Sequence, residues 1–79
     1  MTSTPLSLLR PGGQGTVVRI AGGKGFQENL RRRGIREGKI IEVITTHPIQ
    51  GPLVLRIDSR ETTIGKGMAQ KIMVQVRNI

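Results

Sequence analysis

Residues 30–44, LRRRGIREGKIIEVI, contain the pattern of a helix end, a tight turn and a strand in close succession. Gly34 follows three arginines, and glycine readily adopts the left-handed conformation that closes a helix. Leu30 precedes this glycine and an isoleucine follows it, an apolar pairing typical of a helix C-cap. A second glycine, Gly38, predicts a turn. The alternating aliphatic residues after it predict the longest strand, residues 39–46.

The helix that ends at this glycine is predicted over residues 26–33. Phe26 and Leu30 are four positions apart, so they share one face and form a narrow apolar stripe. The three consecutive arginines fill the last turn, where positive charge is favourable beside the helix dipole. Each residue rotates the helix by about 100°, so these arginines cannot all face one way. One of them must therefore lie beside the apolar stripe.

Glycine and proline separate four further short runs with the alternation of β-strands. They predict strands at residues 16–21, 53–58, 61–64 and 72–77, with a brief turn around residues 68–70. The side chains predicted to face inward are Val18, Ile20, Leu53, Leu55, Ile57, Ile72, Val74 and Val76. Five short strands and one helix in so short a chain close most economically as a small SH3-like or OB-like barrel.

The charge balance indicates a binding protein for an anionic partner. Thirteen Lys and Arg against five Asp and Glu give a formal net charge of +8 on 79 residues. Such a balance favours nucleic acid, a membrane surface or an acidic protein face, unless the charge serves solubility alone. Phe26 is the only aromatic residue. The chain therefore lacks stacking platforms for unpaired bases, while phosphate-only contact stays open.

Residue types that support catalysis or metal binding are sparse. His47 is the only histidine, there is no cysteine, and the five acidic residues are scattered at turns and outward strand positions. Neither a metal cluster nor an acid–base pair is indicated by this spacing. We therefore expect no enzyme activity, no cofactor and no metal site.

Half of the net charge lies between Lys24 and Lys39, where six basic residues face two acidic ones. Two interpretations remain open for this cluster. It steers an anionic partner into place, or it compensates the helix dipole and forms a solvated face.

The N-terminus and the hydropathy pattern bear on location. Residues 1–5 carry no basic n-region, and no run approaches the roughly 18–20 apolar residues that cross a bilayer. We expect one domain over residues 1–79, cytoplasmic and without membrane insertion.

Four segments, in this order, resemble the FeoA family, the ferrous iron transport protein A. They are LLRPGGQGTVV at residues 8–18, the stretch 30–44, the Gly51-Pro52 pair before LVLRI, and AQKIMV at residues 69–74. Arg33 stands where the family commonly has an apolar residue, and Gly65-Lys66-Gly67 replaces a better helix-forming stretch. The motif residues of the resemblance are Gly15, Leu30, Gly34, Gly38, Ala69 and Ile72.

The resemblance implies a mainly β fold: an SH3-like barrel of about five strands with a short α-helix inserted after the first. It also implies an accessory or regulatory protein of ferrous iron uptake that binds the cytoplasmic part of FeoB, a ferrous-iron permease with a GTP-binding domain. Exposure and charge predict the contact residues at the helix end and in the hairpin that follows the longest strand. They are Arg31, Arg32, Arg33, Arg36, Pro48, Gly51 and Pro52.

Other interpretations of the sequence remain open. A nucleic-acid-binding barrel of ribosomal, KOW-like type is the main alternative, because residues 15–18 and 22–25 loosely resemble the glycine–valine–glycine loop of such modules. Direct carriage of Fe(II) is disfavoured by the few metal-ligating residues. Outward Ile40, Val54 and Met73 leave a homo-oligomer open.

Overall fold

A computed structural model describes residues 3–46 and 51–77. The predicted contact residue Pro48 lies outside these ranges, as does His47. The strands are β1 (Thr4–Pro5), β2 (Gln14–Ile20), β3 (Ile40–Thr46), β4 (Leu53–Ile57), β5 (Arg60–Ile64) and β6 (Ile72–Val76). The helices are a 3₁₀ turn (Leu6–Leu8), α1 (Lys24–Arg32) and a one-turn α2 (Lys66–Ala69).

The strands form one antiparallel sheet in the order β1-β6-β2-β3-β4-β5. The sheet curves into a small barrel-like shape. It does not close into a ring, because β1 and β5 remain as two edges. The predicted mainly β, SH3-like architecture with one inserted helix is confirmed. The helix follows the second strand because β1, which was not predicted, precedes it. β1 spans only Thr4–Pro5 and forms by pairing with β6 at the far end of the chain, so no local alternation reveals it.

The core between the sheet and the helices is wholly aliphatic, and no polar or charged side chain is buried among the described residues. All five strands from β2 to β6 contribute to it, as do α1, α2 and the 3₁₀ turn. The fully buried side chains of greatest volume are Leu6, Leu30, Ile35, Ile41, Leu55, Ile64, Ile72, Val17, Val43 and Val74. The barrel therefore provides a rigid frame for the loops and helix ends around it.

Two residues predicted to face inward do not. Val18 is 44% exposed because a β-bulge shifts the register of β2 against β6 between Val17 and Arg19. The extra residue lets Val17 and Ile20, three positions apart, both face the core. Val76 is 43% exposed at the end of β6, where its partner across the strands is Gly15, which offers no side chain to cover it.

The turn predicted near residue 68 is a full helical turn. The Ala69 N–H donates to the Gly65 carbonyl over 3.0 Å, and the Gln70 N–H donates to the Lys66 carbonyl over 3.0 Å. Ala69 is fully buried against the core. Burial of this one side chain offsets the poor helix propensity of the glycines in the segment.

Candidate partner-binding surface

The C-terminal end of α1 is held in one direction by its cap. Gly34 has φ of +86° and donates its N–H to the Arg31 carbonyl over 2.9 Å. The Ile35 N–H donates to the Leu30 carbonyl over 2.9 Å, which completes a Schellman motif. The side chains of Leu30 and Ile35 are both fully buried and form the apolar contact of this motif. The cap therefore fixes the backbone of the arginines before Gly34 relative to the core.

Arg33 is the arginine that lies beside the apolar stripe. Its Nε donates to Asn29 Oδ1 over 3.2 Å, and its Nη1 donates to the Thr63 carbonyl of β5 over 2.6 Å. The side chain is half-buried between α1 and the edge strand. Arg33 thus links the helix to the sheet, while Arg31 and Arg32 extend into solvent.

The turn between β4 and β5 lies against the same end of α1. Asp58 and Ser59 both have positive φ, +51° and +65°, as a two-residue hairpin turn of type I′ requires. A Cβ at Gly34 would lie 4.0 Å from Ile57 Cγ2, just before this turn. Lys39 Nζ donates to Asp58 Oδ2 over 2.8 Å, joining the start of the third strand to the turn.

Positive charge surrounds the Asp58 carboxylate. Its pKa is lowered from the ordinary value of 3.8, first by the hydrogen bond from Lys39. Desolvation is the second-largest effect and raises that pKa, while the charges of Lys39, Arg36 and Arg60 each lower it by a smaller amount. Arg36 and Arg60 are therefore close enough to Asp58 to act on its carboxylate, and Arg36 follows Gly34 of the helix cap by two residues.

We define the basic surface as Arg31, Arg32, Arg36 and Arg60. All four are exposed, and within residues 3–46 and 51–77 none of them forms an ion pair. Arg36 and Arg60 act on the Asp58 carboxylate, but that carboxylate already pairs with Lys39, so all four guanidinium groups can still bind an anionic partner. Surface charges act over about 8–10 Å at ordinary salt. Arg31, Arg32 and Arg36 belong to the predicted contact residues. Arg60 was not predicted, because it lies in a hairpin that is distant from the helix in the sequence.

The predicted hairpin contacts lie elsewhere. Gly51 and Pro52 precede β4, whereas the basic surface lies beyond its other end, at Arg60 opposite Ile57. The five residues of β4 separate the two places, about 16 Å at 3.3 Å per residue. The predicted contact residues therefore divide into two groups at opposite ends of one strand.

Gly51 lines a groove of about 290 Å³ at its end of the barrel. The groove was not predicted, because its walls come from segments that are far apart in the sequence. Its lining residues are Ser7, Leu8, Leu9, Arg10, Pro11, Thr46, Gly51, Leu53 and Lys66.

Among the described residues, no group of three or more His, Cys, Asp or Glu side chains could hold a metal ion. Nor is any helix within those residues both long enough and apolar enough to span a bilayer.

Removing the Asp58 carboxylate is expected to flatten the acid dependence of stability. Because its folded pKa lies below 3.8, the carboxylate stabilises the fold above that value and the effect disappears as pH falls through the folded pKa. Asp58→Asn keeps a residue that tolerates the left-handed turn. Thermal unfolding is followed by circular dichroism from neutral pH to below about pH 3. The unfolding temperature of the variant should fall less over this range than that of the native chain. Identical slopes would contradict this, and the difference should shrink at about 1 M salt, where screening is strong.

Comparison with known proteins agrees with this architecture. The FeoA domain family matches residues 4–76. A candidate Fe(2+) transport protein A of Methanocaldococcus jannaschii is 32% identical over 71 residues, which are 90% of this chain and 84% of that protein. The chain belongs to the FeoA family.

Two solved structures show how widely the fold is used. An iron uptake regulatory protein (FeoA) has a TM-score of 0.88 and 32% identity, over 98% of this chain and 100% of its own. A manganese-dependent transcriptional repressor has a TM-score of 0.90 and 26% identity, over 98% of this chain and 42% of its own. The same barrel therefore occurs both by itself and as one part of a longer protein.

Proposed function

We propose that this chain is a cytoplasmic, single-domain accessory or regulatory protein of ferrous iron uptake that binds the cytoplasmic part of the transporter FeoB. The observation that carries the proposal is the family match over residues 4–76, together with a 32% identical relative named for Fe(2+) transport. A solved relative of the same length is named as an iron uptake regulator.

The basic surface supports a macromolecular partner with an acidic face. Its arginines lie at and just after the end of a capped helix and on a tight hairpin, so the backbone that carries them is already ordered and only the side chains lose freedom on binding, at about 0.5–1.5 kcal/mol each. Complementary charge would raise the association rate and orient the partner before close contact forms. Arg33 contributes indirectly, because its bond to Thr63 holds the helix end against the sheet.

Exchanging the arginine charges tests this surface. The triple change Arg31→Glu, Arg32→Glu and Arg36→Glu is expected to weaken binding to detergent-purified FeoB at least about tenfold. Because glutamate in the last turn opposes the helix dipole, the same triple change to glutamine is measured beside it. Binding is followed by titrating labelled protein into immobilised transporter.

The matched control reverses three exposed cations elsewhere, Arg19, Lys24 and Arg77, and so makes the same change in net charge. We expect a loss of less than about threefold from it. Equal losses of affinity in the basic-surface glutamate variant and in the control variant would mean that net charge alone determines binding. Undiminished binding by the glutamate triple would exclude the basic surface.

Nucleic-acid binding of KOW-like type is the second candidate, since the same four arginines, which form no ion pair in the described part of the chain, suit phosphates. Titration of the native chain with duplex DNA and with structured RNA separates the two candidates. Affinity tighter than about 1 μM with a steep dependence on salt would favour nucleic acid over the transporter.

A further inference from the structure

The groove at the opposite end of β4 from the basic surface has an apolar base. Leu9 and Leu53 form that base and belong to the core, with 9% and 3% of their surface exposed. The walls are the 3₁₀ turn with the segment after it, the end of β3, Gly51 two residues before β4, and the start of α2. Its volume of about 290 Å³ is at the lower limit of ordinary ligand pockets, which suits two or three residues of an extended chain.

Leu8 projects at the rim of this groove and is 70% exposed, the most of any large aliphatic side chain in the described ranges. Its exposure follows from the backbone. The Leu9 N–H donates to the Leu6 carbonyl over 3.1 Å, so the turn has three residues and places Leu6 and Leu9 on the same side. Both face the core, and Leu8 is therefore directed outward. A single exposed leucine is ordinary, but this one adds apolar surface to a groove whose lining is part polar and part apolar.

The groove is also positively charged. Arg10 and Lys66 are on its lining, and neither forms an ion pair among residues 3–46 and 51–77. None of the lining residues is acidic. An occupant therefore has to supply the negative charge itself.

We propose that this groove binds an extended protein segment in which an aliphatic side chain is flanked by carboxylates. The aliphatic side chain packs against Leu8, Leu9 and Leu53, while the carboxylates pair with Arg10 and Lys66. Small apolar area and two partly exposed ion pairs give weak binding, with a Kd of about 1 mM for a short peptide. This site shares Gly51 with the predicted contact residues, but it lies apart from the basic surface and does not depend on transporter binding there.

The probe is the acetylated, amidated peptide Gly-Glu-Leu-Glu-Gly, titrated into the ¹⁵N-labelled chain and followed by amide chemical shifts. The expected shifts are at Leu8, Leu9, Arg10, Gly51 and Lys66. Peptides with alanine for leucine, or lysine for both glutamates, are expected to bind at least about fivefold more weakly. Equal shifts from the lysine peptide, shifts centred on Arg31 and Arg36, or none at about 10 mM peptide would overturn the proposal.

Two variants of the chain complete the test. Leu8→Ala and Lys66→Gln change exposed side chains, so both should fold normally and each should weaken the peptide at least about threefold. Lys24→Gln removes an exposed lysine outside the groove and is expected to leave the Kd unchanged. Unchanged binding in both groove variants would overturn the assignment. Transporter binding by the basic surface is measured separately, so failure of either proposal is seen by itself.

Discussion

Replacement of Leu30 by alanine is expected to lower the free energy of unfolding by about 3 kcal/mol. Leu30 is the one fully buried side chain of α1, and only half-buried Phe26 adds to the same stripe. A helix of nine residues is not stable by itself, so its packing through Leu30 holds it on the sheet. For a chain of 79 residues, total stability is about 4–12 kcal/mol, and the variant loses a large part of it.

Urea unfolding followed by far-ultraviolet circular dichroism measures this loss, since the chain has no Trp or Tyr to report by fluorescence. The matched control is Leu8→Ala, the same change at a leucine that is 70% exposed. We expect a difference of less than about 0.5 kcal/mol there. Similar losses at the two positions would show that Leu30 is not the anchor of the helix.

Gly15→Ala is expected to destabilise the chain by about 2 kcal/mol although it adds a single methyl group. Gly15 lies in the central strand β2, between β3 and β6. A Cβ at this position would meet both Val74 Cβ and Val74 Cγ2 at 2.9 Å and the Gln75 carbonyl oxygen at 3.3 Å. Because Val74 is itself fully buried, it has no room to move away.

The same change at Gly25 is the control and is expected to have the opposite sign. A Cβ at Gly25 meets nothing within 4 Å, and the residue is in the first turn of α1. Alanine there should stabilise the chain by up to about 1 kcal/mol. Thermal unfolding of both variants measures the contrast. A destabilised Gly25→Ala or an unaffected Gly15→Ala would contradict this account of the two glycines.

The parts of the fold that sequence reasoning identified are those determined by neighbouring residues. The end of α1 is one, because the backbone hydrogen bonds of its cap and the apolar pair Leu30 and Ile35 lie within six positions. The alternation in β4 likewise predicts the burial of Leu53, Leu55 and Ile57 correctly.

Features that depend on distant partners were missed. The bulge at Val18 exists only in the register of β2 against β6, and the N-terminal strand exists only by pairing with that same strand. The alternation of apolar and polar residues within a single segment indicates neither the bulge nor the N-terminal strand. The exposure of Val76 follows from the glycine opposite it, sixty-one positions earlier in the chain.

The candidate site shows the same division. Sequence reasoning identified the exposed arginines at the helix end and required one of the three to lie beside the apolar stripe. It did not show that this one is Arg33, because its partner is a carbonyl thirty residues away. The groove escaped prediction for a related reason: Leu8, Arg10 and Lys66 come together only when the two ends of the sheet curve toward each other.

The hydrogen bond from Arg33 to Thr63 has a consequence for self-association. β5 is an edge of the sheet, and an edge strand presents unpaired backbone groups to which a strand of another molecule can add. The guanidinium occupies one of these acceptors and places a charge and a bulky side chain against the edge. A neighbouring strand would have to displace it before pairing could begin. The residue that holds the helix on the sheet is thus also an obstacle to strand addition at β5.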